Sequence, residues 1–118
     1  MADGLIDYDR PLPEVPGRRS WEKPDSFLVK DAAAVDGWRV ESSKGRRPSS
    51  VLVVKRLREV VDEWRTRGYP GASAVTEELF RYWFDTAHTV EGIPGTFRYH
   101  FCQREAIETL VYLLEIAD

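Results

Sequence analysis

The sequence predicts a mainly α-helical fold, in which an irregular, aromatic-rich N-terminal arm precedes about three helices and one short strand. Three observations support this prediction. Five of the seven prolines lie in the first fifty residues, where neither helical nor strand periodicity is sustained. Beyond residue 50, apolar residues recur at helical spacing, and one short segment near residue 100 alternates as a strand does. The length of 118 residues suits one modest domain.

Composition excludes several classes of protein. Hydrophobic residues make up 42% and charged residues 31%, which is ordinary for a globular protein. The net charge of -3 argues against a uniformly basic nucleic-acid-binding protein. Cys102 is the only cysteine, so no intrachain disulfide can form and a cytoplasmic location is favoured. We expect neither export nor a membrane span, because no signal peptide and no run of about 18 apolar residues is found.

The proline-rich beginning of the chain is predicted to lack regular structure. Residues 1–14 are expected to be mobile, and residues 15–50 to form an extended arm. The arm carries Trp21, Phe27 and Trp38, and large aromatic side chains stabilise a structure only when they are buried. The arm is therefore expected to lie on the surface of the helical region, residues 51–118.

The first long helix is predicted to begin near Val53 and to end at Gly68, a residue suited to a left-handed C-terminal position. Pro70 then prevents continuation. Spacings of three, four and seven place several apolar residues on one face of this helix. They are Val53, Val54, Leu57, Val60, Val61 and Trp64.

A second helix is predicted to begin with Ser73 as N-cap and to stop near Asp85. Its expected apolar stripe consists of Val75, Leu79, Tyr82 and Trp83. The following TAHTVEGIPG segment contains two glycines and a proline and predicts a loop.

The C-terminal part is predicted to contain a strand and then a helix. Phe97, Tyr99 and Phe101 alternate with polar residues, as in a strand with one buried face. The last helix is expected to run from about Cys102 to Ala117. Its broad apolar face, expected to make an isolated monomer poorly soluble, comprises Ala106, Ile107, Leu110, Val111, Leu113 and Leu114.

The stretch FRYHFCQREAIETLVYLLE contains the most informative pattern. It places a glutamine at the start of an amphipathic helix, and a glutamine amide can both donate to N7 and accept from N6 of adenine. The stretch resembles the Q-motif segment that precedes the first motor domain of restriction-type DEAD/DEAH-box helicases, relatives of type III restriction Res subunits. RRPSS, DEWRTRGYPG and RYW further up the chain support the resemblance, which covers roughly residues 15–118.

The resemblance implies a role for each residue of the motif. Gln103 would read the adenine of ATP, and Arg104 would lie beside the nucleotide. Phe101 and Cys102 would set the approach and packing of the motif. The alternatives are an ordinary helix-start amide for Gln103 and a solvated side chain for Arg104. Cys102 is expected to act as a small apolar residue.

The sequence departs from the helicase pattern because it lacks the motifs that bind the nucleotide phosphates and magnesium. It contains no G-x-x-x-x-G-K-[ST] loop and no DEAD/DEAH-like acidic box, so we expect no catalytic residue and no ATP hydrolysis by this chain alone. The expected partner is a helicase motor domain, in cis or as a separate chain, and magnesium is expected only with that domain. Under this hypothesis the chain is a fragment, a truncated reading frame or one product of a split gene serving restriction of foreign DNA.

A basic stretch is a candidate contact with DNA. Arg46, Arg47, Lys55 and Arg56 lie in a segment without acidic residues, where they could neutralise phosphates. For Lys55 and Arg56 the alternative is the solvated face of the first helix, so Arg46 and Arg47 are the favoured pair. Two other functions stay open: a stand-alone module that binds nucleic acid or protein, and a structural subunit whose last helix docks on another chain. The two histidines lack metal-ligand spacing, so no metal site is expected.

Overall fold

The computed structural model describes residues 12–15 and 17–117, and within them the fold is mainly α, as predicted. The prediction of a mobile N-terminus falls largely on residues outside this part. Two of the three helices continue into a short π-helical turn. In chain order the elements are β1 (Phe27–Lys30), β2 (Trp38–Glu41), α1 (Leu52–Thr66), α2 (Ala74–Phe80) with the π turn Arg81–Asp85, and α3 (Phe101–Val111) with the π turn Tyr112–Ile116.

Strands β1 and β2 form an antiparallel hairpin in the segment predicted to be an irregular arm, so that prediction is wrong for these residues. Phe27 pairs with Glu41, and Lys30 pairs with Trp38. The connection is closed by the Asp31 N–H, which donates to the Gly37 carbonyl at 2.9 Å. Strands of four residues are too short to show a period, and the pairing across the turn supplies their stability.

Helix α1 ends as its sequence predicts. Gly68 has a φ of 80°, and its N–H donates to the Arg65 carbonyl at 3.0 Å. The next N–H, of Tyr69, reaches back to the Trp64 carbonyl at 2.9 Å, which completes a Schellman motif. The rings of Tyr69 and Trp64 lie 4.9 Å apart and supply the hydrophobic contact that accompanies this motif.

The N-cap of α2 is confirmed, whereas its predicted apolar stripe is wrong. The Ser73 hydroxyl accepts a hydrogen bond from the Thr76 N–H at 3.1 Å. Val75, Leu79 and Tyr82 are 66%, 40% and 49% exposed, and the buried residue of this helix is Phe80. A helix of only seven residues makes few tertiary contacts, and Phe80 is the buried residue through which it packs on the rest of the protein.

The predicted strand from Phe97 to Phe101 is absent. Phe97 forms an isolated bridge with His88, through an N–H···O bond of 2.8 Å, and Phe101 is already the first residue of α3. Alternation of side chains shows only which face could be buried. Because no strand among the described residues is placed to pair with residues 98–101, their alternation does not become a sheet.

The core is small and aromatic. Among the described residues, four hydrophobic side chains are buried: Val61, Trp64, Phe80 and Phe101. The Trp64 ring meets the Phe80 ring at 6.1 Å and the Tyr112 ring at 5.4 Å, both edge-on, an arrangement that aromatic quadrupoles favour. Within the described part of the chain, no helix is both long and apolar enough to cross a membrane.

Helix α3 turns much of its apolar face outward. Leu110, Leu113 and Leu114 are 60%, 46% and 77% exposed, although Ile107 and Val111 are partly covered. The side that packs on α1 instead carries Glu108, which is completely buried. Much of the apolar face of the last helix is therefore at the surface. Arginines of α1 and α3 neutralise the buried carboxylate and make this orientation possible.

Candidate functional site

The first turn of α3 holds the predicted base-reading residue. His100 precedes the helix in an extended conformation, and its N–H donates to the Gln103 Oε1 at 3.0 Å. The Phe101 N–H donates to the Ser20 carbonyl of the arm at 2.7 Å. Gln103 is exposed. Its amide therefore closes the helix start, as the alternative reading expected, and it does so at the surface.

The capping bond leaves the Gln103 amide with further hydrogen-bonding capacity. A carboxamide oxygen has two lone pairs, and the His100 N–H uses one of them. The amide nitrogen contributes two N–H donors. The same side chain can therefore cap α3 and still offer one acceptor and one donor to a planar ligand edge.

Phe101 packs inside the structure. Its side chain is 5% exposed, and it lies beneath two guanidinium groups. The Arg65 guanidinium is 4.8 Å from the ring centroid and that of Arg46 is 5.7 Å away. Both distances are typical of cation–π contacts, and these contacts fix the position of the chain where it enters α3. The predicted role of Phe101 in packing matches this placement, whereas a direct contact with a nucleotide stays a prediction.

Arg104 is directed into the molecule. It donates to the Tyr69 hydroxyl at 2.9 Å and, through Nε, to Glu108 at 3.3 Å. Its guanidinium also lies 4.8 Å from the ring centroid of Phe84. Burial alone lowers the pKa of Arg104, but the bond to Tyr69 and the charge of Glu108 outweigh this effect and raise it. In this arrangement Arg104 joins α3 to the end of α1, and a place beside the nucleotide stays a prediction.

Glu108 is the centre of a buried network that sequence reasoning missed. Arg65 donates to its carboxylate through Nε at 2.9 Å and through a terminal nitrogen at 2.6 Å, and the Tyr69 hydroxyl donates as well. Burial lowers the pKa of Arg65, and the bond to Glu108 more than reverses the effect. The i,i+4 spacing of Arg104 and Glu108 is visible in the sequence, but Arg65 lies 43 residues away.

The Tyr69 hydroxyl is strongly perturbed by this network. Burial raises the pKa of Tyr69, and the neighbouring Glu108 carboxylate raises it further, to about 12, although the bond from Arg104 acts in the opposite direction. Tyr69 also has a left-handed φ of 60°, which is unfavourable for a residue with a side chain. The network and the Schellman motif together hold this backbone conformation.

A second ion pair joins the arm to α3. Arg46 donates to both carboxylate oxygens of Glu105, at 2.8 and 2.7 Å, and both side chains are largely covered. Such a two-bond pair between planar groups is geometrically specific. Arg46, predicted to contact DNA, is therefore engaged inside the protein.

The other predicted DNA-contacting residues lie at the surface. Arg47 is exposed, although it donates to the Leu28 carbonyl at 2.6 Å and lies 5.0 Å from the ring centroid of Phe27. Lys55 and Arg56 are exposed on α1, and neither forms an ion pair with any described residue. The structure thus separates Arg46 from the three cations that solvent can reach.

A cleft of about 430 Å³ lies beside the start of α3, between the arm and the end of α1. Asp62 on its wall binds Lys23 of the arm at 2.6 Å. Burial raises the pKa of Asp62, but the hydrogen bonds from Lys23 and Arg65 dominate and lower it. Gln103 does not line this cleft. The residues that line the cleft include Trp21, Lys23, Asp62, Phe84, Arg98 and Tyr99.

Gln103 instead shares the exposed face of α3 with apolar residues. This face runs along the helix at spacings of three and four, opposite the Glu108 network. Its exposed members are Cys102, Gln103, Ala106, Leu110, Leu113 and Leu114. An exposed apolar stripe of this kind is typical of an interaction surface.

The described residues contain no group of three or more His, Cys, Asp or Glu side chains that could hold a metal ion. Comparison with protein-family models, with curated proteins and with solved structures found no match. Any assignment of function therefore rests on the residues of the chain and on their geometry.

Proposed function

We propose that this chain is the N-terminal accessory and base-recognition segment of an ATP-dependent DNA helicase or restriction enzyme. One observation carries the proposal: Gln103, the glutamine of the Q-motif-like sequence, is exposed at the start of α3 on an apolar helix face. Among the described residues, the one side-chain bond of its amide is accepted from the His100 N–H, and it leaves one lone pair and the N–H donors for a ligand.

The proposed chemistry is recognition of the base. The Gln103 amide nitrogen donates to N7 of adenine, and its oxygen accepts from the N6 amino group. Guanine presents an acceptor, O6, where adenine has that amino group, so the same amide orientation discriminates against GTP. Binding of the phosphates and hydrolysis belong to a motor domain, because this chain has no phosphate-binding loop.

The apolar face of α3 is the proposed contact with that motor domain. Burying a leucine side chain fully contributes about 1.5–3 kcal/mol. Leu110, Leu113 and Leu114, all substantially exposed, can therefore supply several kcal/mol on docking. Such docking would bring Gln103, on the same face, to the interface.

The test of this proposal uses the protein produced from the complete gene. The Gln103→Ala variant should lose most of its preference for ATP over GTP in steady-state turnover, because both nucleotides then lack a reader for the base. Glu59→Ala is the matched control, since Glu59 is exposed on α1 and forms no ion pair with any described residue. An unchanged preference in Gln103→Ala would overturn the assignment of Gln103.

A second candidate function, binding of nucleic acid through the basic surface, is favoured by the exposure of Arg47, Lys55 and Arg56. Each phosphate contact contributes about 0.9 to the slope of log affinity against log salt for duplex DNA. The double variant Lys55→Met/Arg56→Met should therefore lower that slope by about 2, measured by fluorescence anisotropy with a labelled duplex. Equal slopes for the variant and the unsubstituted protein would exclude these residues from the contact.

A further inference from the structure

Residues Arg19–Lys23 form a strap across the start of α3. The strap is a tight turn, closed by the Glu22 N–H, which donates to the Arg19 carbonyl at 3.2 Å. An ion pair between the same two residues, at 3.3 Å, braces it. The turn is therefore locally ordered before it meets the helical region.

Three contacts attach the strap to α3, to the loop before α3 and to α1. The Ser20 carbonyl accepts the first N–H of α3, that of Phe101, at 2.7 Å. The Trp21 ring stacks with the Arg98 guanidinium at 4.4 Å, just before α3. Lys23 pairs with Asp62 of α1 at 2.6 Å. Together these contacts attach Ser20, Trp21 and Lys23 of the strap to the helical region.

The Ser20 contact couples the strap to the first turn of α3. The first N–H groups of a helix have no partner within the helix, so they must be satisfied from outside. The strap satisfies that of Phe101, and the Gln103 amide satisfies that of His100, the residue before it. Both bonds form at the first turn of α3, so loss of one bond loosens the backbone on which the other depends.

We propose that the strap is a positioning element for Gln103, with Trp21 and Lys23 as its anchoring residues. The strap holds the first turn of α3 and with it the orientation of the Gln103 amide toward the base. The expected effect of the strap on the choice between ATP and GTP rests on the proposed function. The coupling of Trp21 and Lys23 to the Gln103 amide holds independently of any nucleotide.

The test begins with an NMR measurement on the 118-residue chain. Gln103 is the only glutamine and the chain has no asparagine, so the spectrum contains a single carboxamide pair of signals. In Trp21→Ala this pair should shift, and hydrogen exchange at the Phe101 amide should accelerate about fivefold, since an exposed cation–π contact is lost. Trp21→Phe, which keeps an aromatic face for Arg98, should restore both signals toward those of the unsubstituted chain.

Lys23 provides an independent arm of the same test. Lys23→Met should accelerate exchange at Phe101 and shift the carboxamide pair, whereas Lys23→Arg should preserve both. Lys55→Met, which removes an exposed lysine of α1 with no ion pair to the described residues, should change neither signal. Circular dichroism of each variant establishes that the helices remain folded.

The selection of nucleotide is then measured in the complete gene product. Trp21→Ala should reduce the preference for ATP over GTP, and Trp21→Phe should recover it. The positioning role is overturned if the carboxamide pair and the Phe101 exchange rate are unchanged in Trp21→Ala and Lys23→Met. It is also overturned if both change while the nucleotide preference stays intact. An unsubstituted protein that does not prefer ATP defeats the proposed function, while the NMR result still decides the coupling.

Discussion

Replacement of Glu108 by glutamine tests whether the buried network organises this fold. Glu108 is completely buried and receives bonds from Arg65, Arg104 and Tyr69. Glu108→Gln keeps the volume of the side chain but removes its charge. The new amide also places N–H groups against guanidinium donors, which cannot accept them.

The expected loss of stability follows from the partners left behind. Breaking a buried ion pair by removing one member costs about 3–5 kcal/mol. Arg65 keeps a second carboxylate, Asp62, at 2.5 Å, and Tyr69 can still donate to the amide oxygen, so the lower end applies. We expect a loss of about 3 kcal/mol and a fall in Tm of roughly 10 °C.

Urea unfolding followed by tryptophan fluorescence measures this loss, because Trp64 lies in the core beside the network. Glu59→Gln makes the same chemical change at an exposed position of α1 and should alter stability by less than about 0.5 kcal/mol. The reasoning fails if Glu108→Gln costs no more than this control.

Three further outcomes follow from the same structure. The pKa of Tyr69 is about 12 in the folded state and near 10 in the unfolded state, so the folded state binds more protons between these two pH values. The free energy of unfolding must therefore fall as pH rises from 10 to 12. Tyr69→Phe should remove the late step from the tyrosinate absorbance titration. The cationic neighbours of Asp62 lower its pKa from 3.8. Asp62 therefore stabilises the fold above about pH 4, and this stabilisation is lost as pH falls through the folded pKa. In Asp62→Asn, the urea midpoint should fall less steeply as the pH is lowered into the acid range. Gly68→Ala should cost about 1 kcal/mol in urea unfolding, since its φ of 80° disfavours any side chain although space is open. A midpoint equal to that of the unsubstituted protein would refute this last prediction.

Local signals in the sequence predicted the ends of the elements well. Gly68 ends α1 in a left-handed conformation, and Ser73 caps α2 through its hydroxyl, because each effect needs only a few consecutive residues. The alternation at Phe97–Phe101 misled, since a strand also requires a partner that the sequence does not specify. The hairpin was missed for the opposite reason: its two four-residue strands become stable only when paired.

The orientation of α3 is the main feature that the sequence could not predict. Periodicity predicts that this helix is amphipathic, but it does not decide which side the rest of the protein covers. Glu108 faces inward because Arg65 and Tyr69, 43 and 39 residues away, neutralise and bind its carboxylate. This long-range compensation leaves Leu110 and Leu114 at the surface, and it places Gln103 with them.

A second carboxylate of α3, Glu105, divides the predicted cations into two groups. Arg46 is drawn to Glu105 at 2.7 Å, while Lys55 and Arg56 remain exposed and form no ion pair with any described residue. Arg46→Ala should therefore lower stability with little effect on the salt dependence of DNA binding. This contrast separates a structural arginine from the surface cations of the second candidate function.

The most direct test of adenine recognition by Gln103 replaces a single atom of the nucleotide. In 7-deaza-ATP a C–H group stands where adenine has N7, so the bond from the Gln103 amide is lost. In the complete gene product, kcat/KM should be lower for 7-deaza-ATP than for ATP by about tenfold, the factor for one buried hydrogen bond of roughly 1.4 kcal/mol. In Gln103→Ala the two nucleotides should give the same kcat/KM. A penalty for 7-deaza-ATP that is equal in both proteins would contradict the account.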